Sequence, residues 1–262
     1  MSDDDLVLYE VKNSYAIISL NRPPVHAFNL ELEKALNAKL IEADSDENVK
    51  CVLLKSTGKR VFSAGMDIKI HFDDLPADYS EERSKYARDN ILKMLTMKKP
   101  IVCAVQGTAI GYGLMLIMAS DLRIFADRSF PETFFRMPEI GLDIFPATGA
   151  TILPLLTFGL SFAKNILLTS DNFGLDQLKN LNIPVRVFSL DDLDVETEKF
   201  MDEFVKYKAS LMFLIKSSLS LMNKKHMEKW LELEYDCSAV RNEEKTSKEW
   251  DAFIEGLFQK YP

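Results

Sequence analysis

The chain has 262 residues, of which 47% are hydrophobic and 27% charged, and its formal net charge is −8. These values are ordinary for a globular protein, and the acidic balance argues against nucleic acid or an anionic membrane as the main partner. No apolar run is long enough to cross a bilayer, and the acidic start Met1–Asp5 lacks a signal-peptide pattern. We therefore expect a cytoplasmic protein with no membrane or nucleic-acid partner.

The first third of the chain predicts the order β-β-α-β. Leu6–Val11 and Tyr15–Leu20 alternate as the two strands of a hairpin. Leu30–Ala43 has apolar residues at helical spacing, and Val49–Leu54 has the composition of another strand. A loop, Ser56–Asp67, follows.

The middle of the chain predicts a helix between buried strands. The helix Glu81–Met97 ends before Pro100 because proline cannot continue it. Ile101–Val105 is an apolar strand, and Asp121–Ala126 is the next strand. A glycine-punctuated turn and an apolar helix lie between the two strands.

Helices dominate the remainder of the chain. We predict helices at Ala147–Thr157, Ser161–Leu168 and Gly174–Asn180, a last short strand at Val185–Phe188, and a helical pattern throughout Val195–Gln259.

No linker or repeat divides the chain, so we predict one core over 1–190 with a helical C-terminal region over 191–262. Such a region packs either against a neighbouring subunit or back onto its own core, and the pattern leaves both open.

The turn that contains Gly107, Gly111 and Gly113 leaves free backbone N–H groups at the start of a helix, which favours negative charge. Taken alone, this turn is equally well explained by close helix–strand packing. It lacks the Gly-Lys-Ser/Thr of a P-loop and the third glycine of a dinucleotide fingerprint.

A second small-residue turn, Phe62–Asp67, also follows a predicted strand, and alone it is an ordinary tight turn with Asp67 as a helix cap. Together, the two turns can direct two N–H groups at one oxygen, as stabilising an oxyanion requires. Glu139 lies among apolar residues and turn formers, a setting that raises a carboxyl pKa and suits proton transfer. The alternative is a loop glutamate that accepts nearby N–H groups. No cysteine or histidine spacing indicates a metal site.

Four motifs in this order and spacing resemble the crotonase family, also called the enoyl-CoA hydratase/isomerase family. They are Phe62–Lys69, Lys99–Gly113, Ser120–Ala126, and Met137–Leu142 with the later Pro-Ala-Thr-Gly at 146–149. The resemblance covers about residues 6–190 well and the helical tail loosely.

The resemblance implies an α/β fold, a crotonase-like spiral of ββα units with a helical C-terminal trimerisation region. It also implies an acyl-CoA substrate, no separate cofactor because coenzyme A is part of the thioester, and a homotrimer or hexamer. By motif match, the N–H groups of Ala64 and Tyr112 hold the thioester oxygen and Glu139 transfers the proton. Substrate contacts are then expected at Ser63, Ala64, Met66, Asp67, Ile68, Gly111 and Met115.

Positions at which this chain departs from the family pattern indicate which of the family's reactions it resembles. The hydratases resemble one another in having two glutamates that hold a water, and the first of these positions is Met115 here. The single Glu139 is the pattern of monofunctional Δ3,Δ2-enoyl-CoA isomerases, which also resemble this chain over Asn21–Leu32. The dienoyl-CoA isomerase pattern needs an acid at Ala147 and is rejected.

Tyr112 stands where the family usually has glycine. Its ring could narrow the acyl pocket, or its hydroxyl could act on the substrate. Two alternatives therefore stay open beside the isomerase. One is a hydratase, hydrolase or decarboxylase that uses Tyr112 or Asp143. The other is a non-catalytic acyl-CoA binder or assembly subunit.

Overall fold

A computed structural model describes residues 6–70, 75–183, 185–221, 224–238 and 246–261. These residues form a mixed α/β structure with two sheets, which confirms the predicted class. The strands are β1 Val7–Lys12, β2 Tyr15–Leu20, β3 Cys51–Ser56, β4 Val61–Ser63, β5 Ile101–Val105, β6 Thr108–Ile110, β7 Leu122–Ala126, β8 Phe135–Arg136 and β9 Arg186–Phe188.

The larger sheet has six strands in the order β1-β2-β3-β5-β7-β9. Strands β1 and β2 are antiparallel, with Val7 opposite Leu20, and every other neighbouring pair is parallel. The N-terminal hairpin is therefore confirmed. The strand predicted at Val49–Leu54 lies two residues later, at Cys51–Ser56.

The smaller sheet, β4-β6-β8, is entirely parallel. Sequence analysis predicted none of these three strands. They are two or three residues long, too short to display the alternation by which a strand is recognised.

The helices are α1 Leu30–Ser45, α2 Tyr79–Thr96, α3 Tyr112–Ala119, α4 Ile152–Phe158, α5 Leu160–Thr169, α6 Leu175–Asn180, α7 Leu193–Phe204, α8 Ala209–Leu221, α9 Lys224–Ser238 and α10 Ser247–Lys260. Glu139–Leu142 forms a single 3₁₀ turn. None of these helices is both long and apolar enough to span a membrane.

Helix α1 shows how local sequence and core packing agree. Asn29 caps the helix, and its side chain accepts a hydrogen bond from Leu32 N at 3.1 Å. Leu32, Leu36 and Leu40 are fully buried in the main hydrophobic core. Burial of such a side chain contributes about 1.5–3 kcal/mol, so this leucine face holds α1 against the larger sheet.

Helix α4 begins at Ile152 rather than at the predicted Ala147. The residues before it form a turn in which Thr148 has φ +68° and Gly149 has φ +96°. Glu234, on α9, caps this helix. Its carboxyl group accepts hydrogen bonds from Gly149 N and from Thr151 N and Oγ1. A buried carboxyl group thus satisfies N–H groups that the helix itself leaves unpaired.

The C-terminal helices pack back onto the core of their own chain. On α8, the buried Lys216 forms an ion pair with Asp121 at 2.7 Å and donates to Met94 O at 2.8 Å. On α9, Trp230 Nε1 donates to Thr151 Oγ1 at 2.7 Å. The sequence left open whether this region packs against a neighbouring subunit or onto its own core, and these residues pack onto their own core.

Candidate active site

The smaller sheet brings the three predicted site segments to one edge. Strand β4 leads into the turn at 64–66, β6 leads into Gly111, and β8 leads into Glu139. Because the three strands are parallel, their carboxyl ends lie on the same side of the sheet, where α/β proteins commonly bind ligands.

The two small-residue turns meet backbone against backbone at Gly65. A Cβ atom there would come within 2.5 Å of Ile110 O and 3.2 Å of Tyr112 N. The φ angle of Gly65 is +82°, in the region that favours glycine. This residue must therefore be glycine for the turn after β4 to touch the start of α3.

Glycines on both sides of Tyr112 bring α3 close to its neighbours. A Cβ atom on Gly113 would lie 2.6 Å from Ser63 O. Gly111 has φ +50° and donates to Arg136 O at 2.8 Å, which ties the turn to β8. A Cβ atom on Gly111 would lie 3.1 Å from Glu139 Oε1, so the carboxyl group rests over this glycine.

Glu139 is buried, with 9% of its surface exposed. Its Oε2 atom is buried and has no hydrogen-bond partner among the described residues. Burial raises the pKa of this carboxyl group to about 7, against a smaller opposing effect of the Arg136 charge. A carboxyl group with this pKa exists in both protonation states near neutral pH, which suits it to taking up and releasing a proton.

Tyr112 is the first residue of α3, so the helix supplies no acceptor for its N–H. Its ring points into the core, where the hydroxyl lies 3.0 Å from Glu33 Oε2 and 3.1 Å from Ala87 O. Phe28 packs edge-on against the ring at 4.9 Å. The hydroxyl is occupied by these core groups, which corrects the expectation that it could act on the substrate.

The expectation that Ala64 supplies an oxyanion donor is wrong in this structure, because Ala64 N already donates to Val25 O at 2.9 Å. The segment before α1 pairs with this turn: Phe28 N donates to Gly65 O, and Asp67 N donates to Phe28 O. Met66 N has no hydrogen-bond partner within the described residues. The free donor of the turn is therefore two residues later than expected.

The remaining residues predicted to contact substrate differ in whether their side chains already bond to other parts of the chain. The Ser63 hydroxyl donates to His26 O at 2.8 Å and accepts from Gly65 N at 3.1 Å, so it serves the turn itself. Asp67 forms an ion pair with Arg22 at 2.9 Å. Ile68 is 71% exposed, whereas Met115 is buried in α3.

The alternative acid Asp143 lies in a left-handed turn with φ +55° and is exposed. It ends the 3₁₀ turn that begins at Glu139. An exposed residue that ends a turn gives no support to the alternative in which Asp143 is a second acid.

Sequence analysis missed Glu33 and Asn90, two buried polar residues behind the turn. Asn90 Nδ2 donates to Glu33 Oε2 at 2.8 Å. Glu33 lies three residues after Leu30 and three before Leu36, in the apolar stripe of α1. A charged residue within an apolar stripe was the available signal.

A surface cleft of about 450 Å³ lies between α2 and α9, apart from these residues. Its lining is charged and aromatic, and consists of Asp78, Glu81, Glu82, Lys85, Arg88 and Tyr235. None of the predicted site residues lines it, so we locate the site by the geometry around Glu139.

Comparison with known proteins finds similarity over most of the chain. Residues 10–261 match the family model described as Enoyl-CoA hydratase/isomerase. YngF of Bacillus subtilis, whose name places it among the enoyl-CoA hydratases/isomerases, is 31% identical over 209 residues, 74% of each chain. The Crotonyl-CoA hydratase of Syntrophomonas wolfei is 29% identical over 195 residues, covering 74% of this chain and 73% of its own.

Solved structures share the fold. The enoyl-CoA hydratase/isomerase of Xanthobacter autotrophicus Py2 superimposes with a TM-score of 0.79 at 23% identity and covers 98% of both chains. The predicted crotonase-type fold is thereby confirmed.

Proposed function

The chain belongs to the enoyl-CoA hydratase/isomerase family, and from that premise we propose that it is a Δ3,Δ2-enoyl-CoA isomerase. It moves the carbon–carbon double bond of an enoyl-CoA thioester from the 3 to the 2 position. One observation carries the proposal: the buried carboxyl group of Glu139 lies against Gly111, where the two backbone turns meet, while the fourth residue of α3 is Met115 rather than an acid.

The reaction begins when the ionised Glu139 removes a proton from C2 of the bound thioester. The electron pair of the C–H bond moves into the conjugated system, and negative charge develops on the thioester oxygen. The N–H groups of Met66 and Tyr112 donate to that oxygen, and the positive end of α3 adds to the stabilisation.

The second half returns the same proton. The dienolate collapses, the neutral Glu139 gives its proton to C4, and the double bond lies between C2 and C3. No water or second acid enters this balance. A pKa near 7 supports both half-reactions, since the group is neither a very weak base nor a very weak acid.

The coenzyme A part of the substrate is assigned to the turn after β4. The exposed Ile68 offers an apolar surface there, and Met66 and Asp67 lie beside it. The Arg22–Asp67 ion pair stabilises the shape of this turn rather than serving as a free charge for the ligand. We therefore assign ligand contacts here chiefly to the backbone and to Ile68.

The second candidate function is enoyl-CoA hydration, which the name of the Syntrophomonas wolfei relative favours. Hydration needs a group that holds and deprotonates a water. The Met115 thioether is a weak acceptor that cannot ionise, so Glu139 alone would have to hold the water as well as transfer its protons. These side chains therefore favour isomerisation over hydration.

A homotrimer is part of the proposal. The apolar residues of α8 that remain exposed, by 56–65%, are Leu211, Leu214, Ile215 and Leu219. A continuous apolar helix face of this kind is typical of a subunit contact. Light scattering should give about three times the chain mass of 29.9 kDa, or about six times if trimers pair into a hexamer, and a monomer mass would contradict this part of the proposal.

The proposal is tested with the Glu139→Gln variant, using trans-3-hexenoyl-CoA as substrate and following formation of the conjugated 2-enoyl product. We expect conversion to fall by at least about 10³-fold, since the amide cannot take up the proton. The matched control is Asp143→Asn, because asparagine tolerates the left-handed conformation of this exposed position. Wild-type turnover in Glu139→Gln, or loss of turnover in Asp143→Asn, would contradict the assignment.

A further inference from the structure

Tyr112 joins a functional N–H group to a side chain buried in the core. Its N–H lies where the two turns meet, and the glycines at 111 and 113 flank it on either side. Glycine places few restrictions on backbone angles. Close packing holds the turns together, but the orientation of the peptide between two glycines needs a further restraint.

The side chain of Tyr112 supplies such a restraint, because its hydroxyl lies where three helices meet. Glu33 Oε2, on α1, is 3.0 Å away, and Ala87 O, on α2, is 3.1 Å away. Asn90 on α2 donates to Glu33 Oε2 and to Glu33 O at 2.8 and 3.0 Å. Asn37 Nδ2 in turn donates to Asn90 Oδ1 at 2.9 Å.

A neutral Glu33 accounts for both contacts of the phenol, while Glu33 Oε1 has no hydrogen-bond partner among the described residues. The phenol has one hydrogen but two oxygen atoms within hydrogen-bond range. A protonated Glu33 donates to the phenol oxygen, and the phenol hydrogen then goes to Ala87 O. Burial supports the neutral form, since it raises the pKa of Glu33 to about 8 despite the opposing effects of the hydrogen bonds with Asn90 and Tyr112 and of the Arg83 charge.

We propose that Glu33, supported by Asn90, is a positioning residue that fixes the Tyr112 N–H toward the substrate thioester oxygen by holding the phenol of the same residue. The inference rests on the proposed function, because it takes the Tyr112 N–H as an oxyanion donor. It explains why a large side chain is accommodated at a position between two glycines. Glu33 itself touches no substrate and acts only through Tyr112.

The rival explanation is a polar core cluster that contributes stability alone. The two explanations differ in what they predict for the bound thioester. A positioning role changes the hydrogen bond to the thioester oxygen, and therefore kcat, with little change in KM. A purely structural role lowers the melting temperature and leaves the bound carbonyl group as it is in the wild type.

The test uses three variants and one control. Tyr112→Phe removes the hydroxyl and keeps the ring, and Glu33→Leu removes the polar partner. Glu33→Gln keeps an uncharged group of the same size, whose oxygen can accept from both the phenol and Asn90. The control, Tyr15→Phe, also removes a buried tyrosine hydroxyl. Tyr15 lies in a second hydrophobic cluster, separate from the main core, and its hydroxyl has no hydrogen-bond partner among the described residues.

Two measurements are made on the folded full-length variants: kcat and KM with trans-3-hexenoyl-CoA, and the infrared carbonyl band of bound butyryl-CoA labelled with carbon-13 at the thioester. Butyryl-CoA has no double bond to move, so its band reports the hydrogen bond independently of turnover. Hydrogen bonding to the oxygen lowers the band frequency.

We expect Tyr112→Phe and Glu33→Leu to lower kcat by about 10- to 100-fold, with KM within about threefold of the wild type, since small misplacements of catalytic groups have effects of this size. Both should also lose much of the frequency shift. Glu33→Gln should restore kcat to within about threefold, and Tyr15→Phe should match the wild type.

An unchanged band and unchanged kcat in folded Tyr112→Phe would overturn the inference, even if Glu33→Leu failed to fold. Lower thermal stability with an unchanged band would overturn it as well. Failure of the proposed function is distinguishable, because the wild type would then fail to bind butyryl-CoA or would leave its band unshifted, and both proposals would fall.

Discussion

Two regions of the molecule each bury a glutamate, and they use it differently. Glu139 lies after β8 with its Oε2 atom unpaired among the described residues. Glu234 lies on α9, and its two oxygens accept from Gly149 N, Thr151 N, Thr151 Oγ1 and Ile152 N. Burial raises the pKa of both groups. The two groups differ in whether the described residues donate hydrogen bonds to both carboxyl oxygens.

For these two glutamates, the difference agrees with the proposed proton-transfer role of Glu139 and with a structural role of Glu234. A buried polar atom without a partner carries a free-energy penalty of about 1–3 kcal/mol. Glu139 bears that penalty at the point where two backbone turns meet, which is consistent with a role toward a ligand. Glu234 instead completes the start of α4 and joins the C-terminal helices to the core.

The largest expected effect concerns activity. Glu139→Gln should lower kcat by at least about 10³-fold, equivalent to about 4 kcal/mol in activation free energy. Glu234→Gln, measured in parallel, should retain activity within about tenfold, since it alters a helix cap rather than the proton-transfer group. Equal losses in the two variants would remove the distinction between the regions.

The next effect concerns stability, and here the substitution of Glu234 is the one with the large effect. Glu234→Ala should lower the free energy of unfolding by about 2–4 kcal/mol, because several N–H groups at the start of α4 lose their acceptor. Urea titrations of this variant and the wild type measure the change. A difference below about 0.5 kcal/mol, the size typical of surface substitutions, would show that the cap contributes little.

The third effect is a dependence of stability on pH that comes from Glu139. The pKa of this group is about 7 in the folded chain, above its ordinary value of 4.5. Its stabilising contribution is therefore fully present below about pH 4.5 and is lost as pH rises through 7. Relative to Glu139→Gln, the wild type should lose up to about 3 kcal/mol between these limits.

That loss is read from paired denaturant titrations at several pH values. The Gln variant cannot ionise, so the difference between the two proteins isolates Glu139. A constant difference from about pH 4.5 to 8 would mean that burial does not perturb this group.

The smallest effect is the pH profile of the reaction. In the proposed mechanism Glu139 acts first as a base, so kcat/KM should rise about tenfold per pH unit below about 7 and level off above it. Initial rates with trans-3-hexenoyl-CoA across this range give the profile. A flat profile between about pH 5 and 7 would show that another group takes the proton.

The sequence was sufficient for the features that local pattern controls. The hairpin, the leucine face of α1, the two glycine turns and the motif around Glu139 are all recognisable from spacing and residue type. The resemblance to the crotonase family supplied the order in which they assemble, and the family match confirms that membership.

Features created by tertiary contact were missed. Strands β4, β6 and β8 are too short for a periodic signal and exist because they pair with one another. Ala64 looked available because the acceptor of its N–H, Val25 O, lies 39 positions earlier in the chain. The role of Glu33 depends on Tyr112, which is 79 residues away. No local pattern records contacts over such separations.

The central claim is that one carboxyl group, with methionine in place of a second, makes the site an isomerase. The most direct measurement compares wild-type rates on two substrates: isomerisation of trans-3-hexenoyl-CoA and hydration of crotonyl-CoA. We predict that isomerisation is at least about 100-fold faster, because hydration lacks its second proton-transfer group. Hydration as fast as, or faster than, isomerisation would contradict the account.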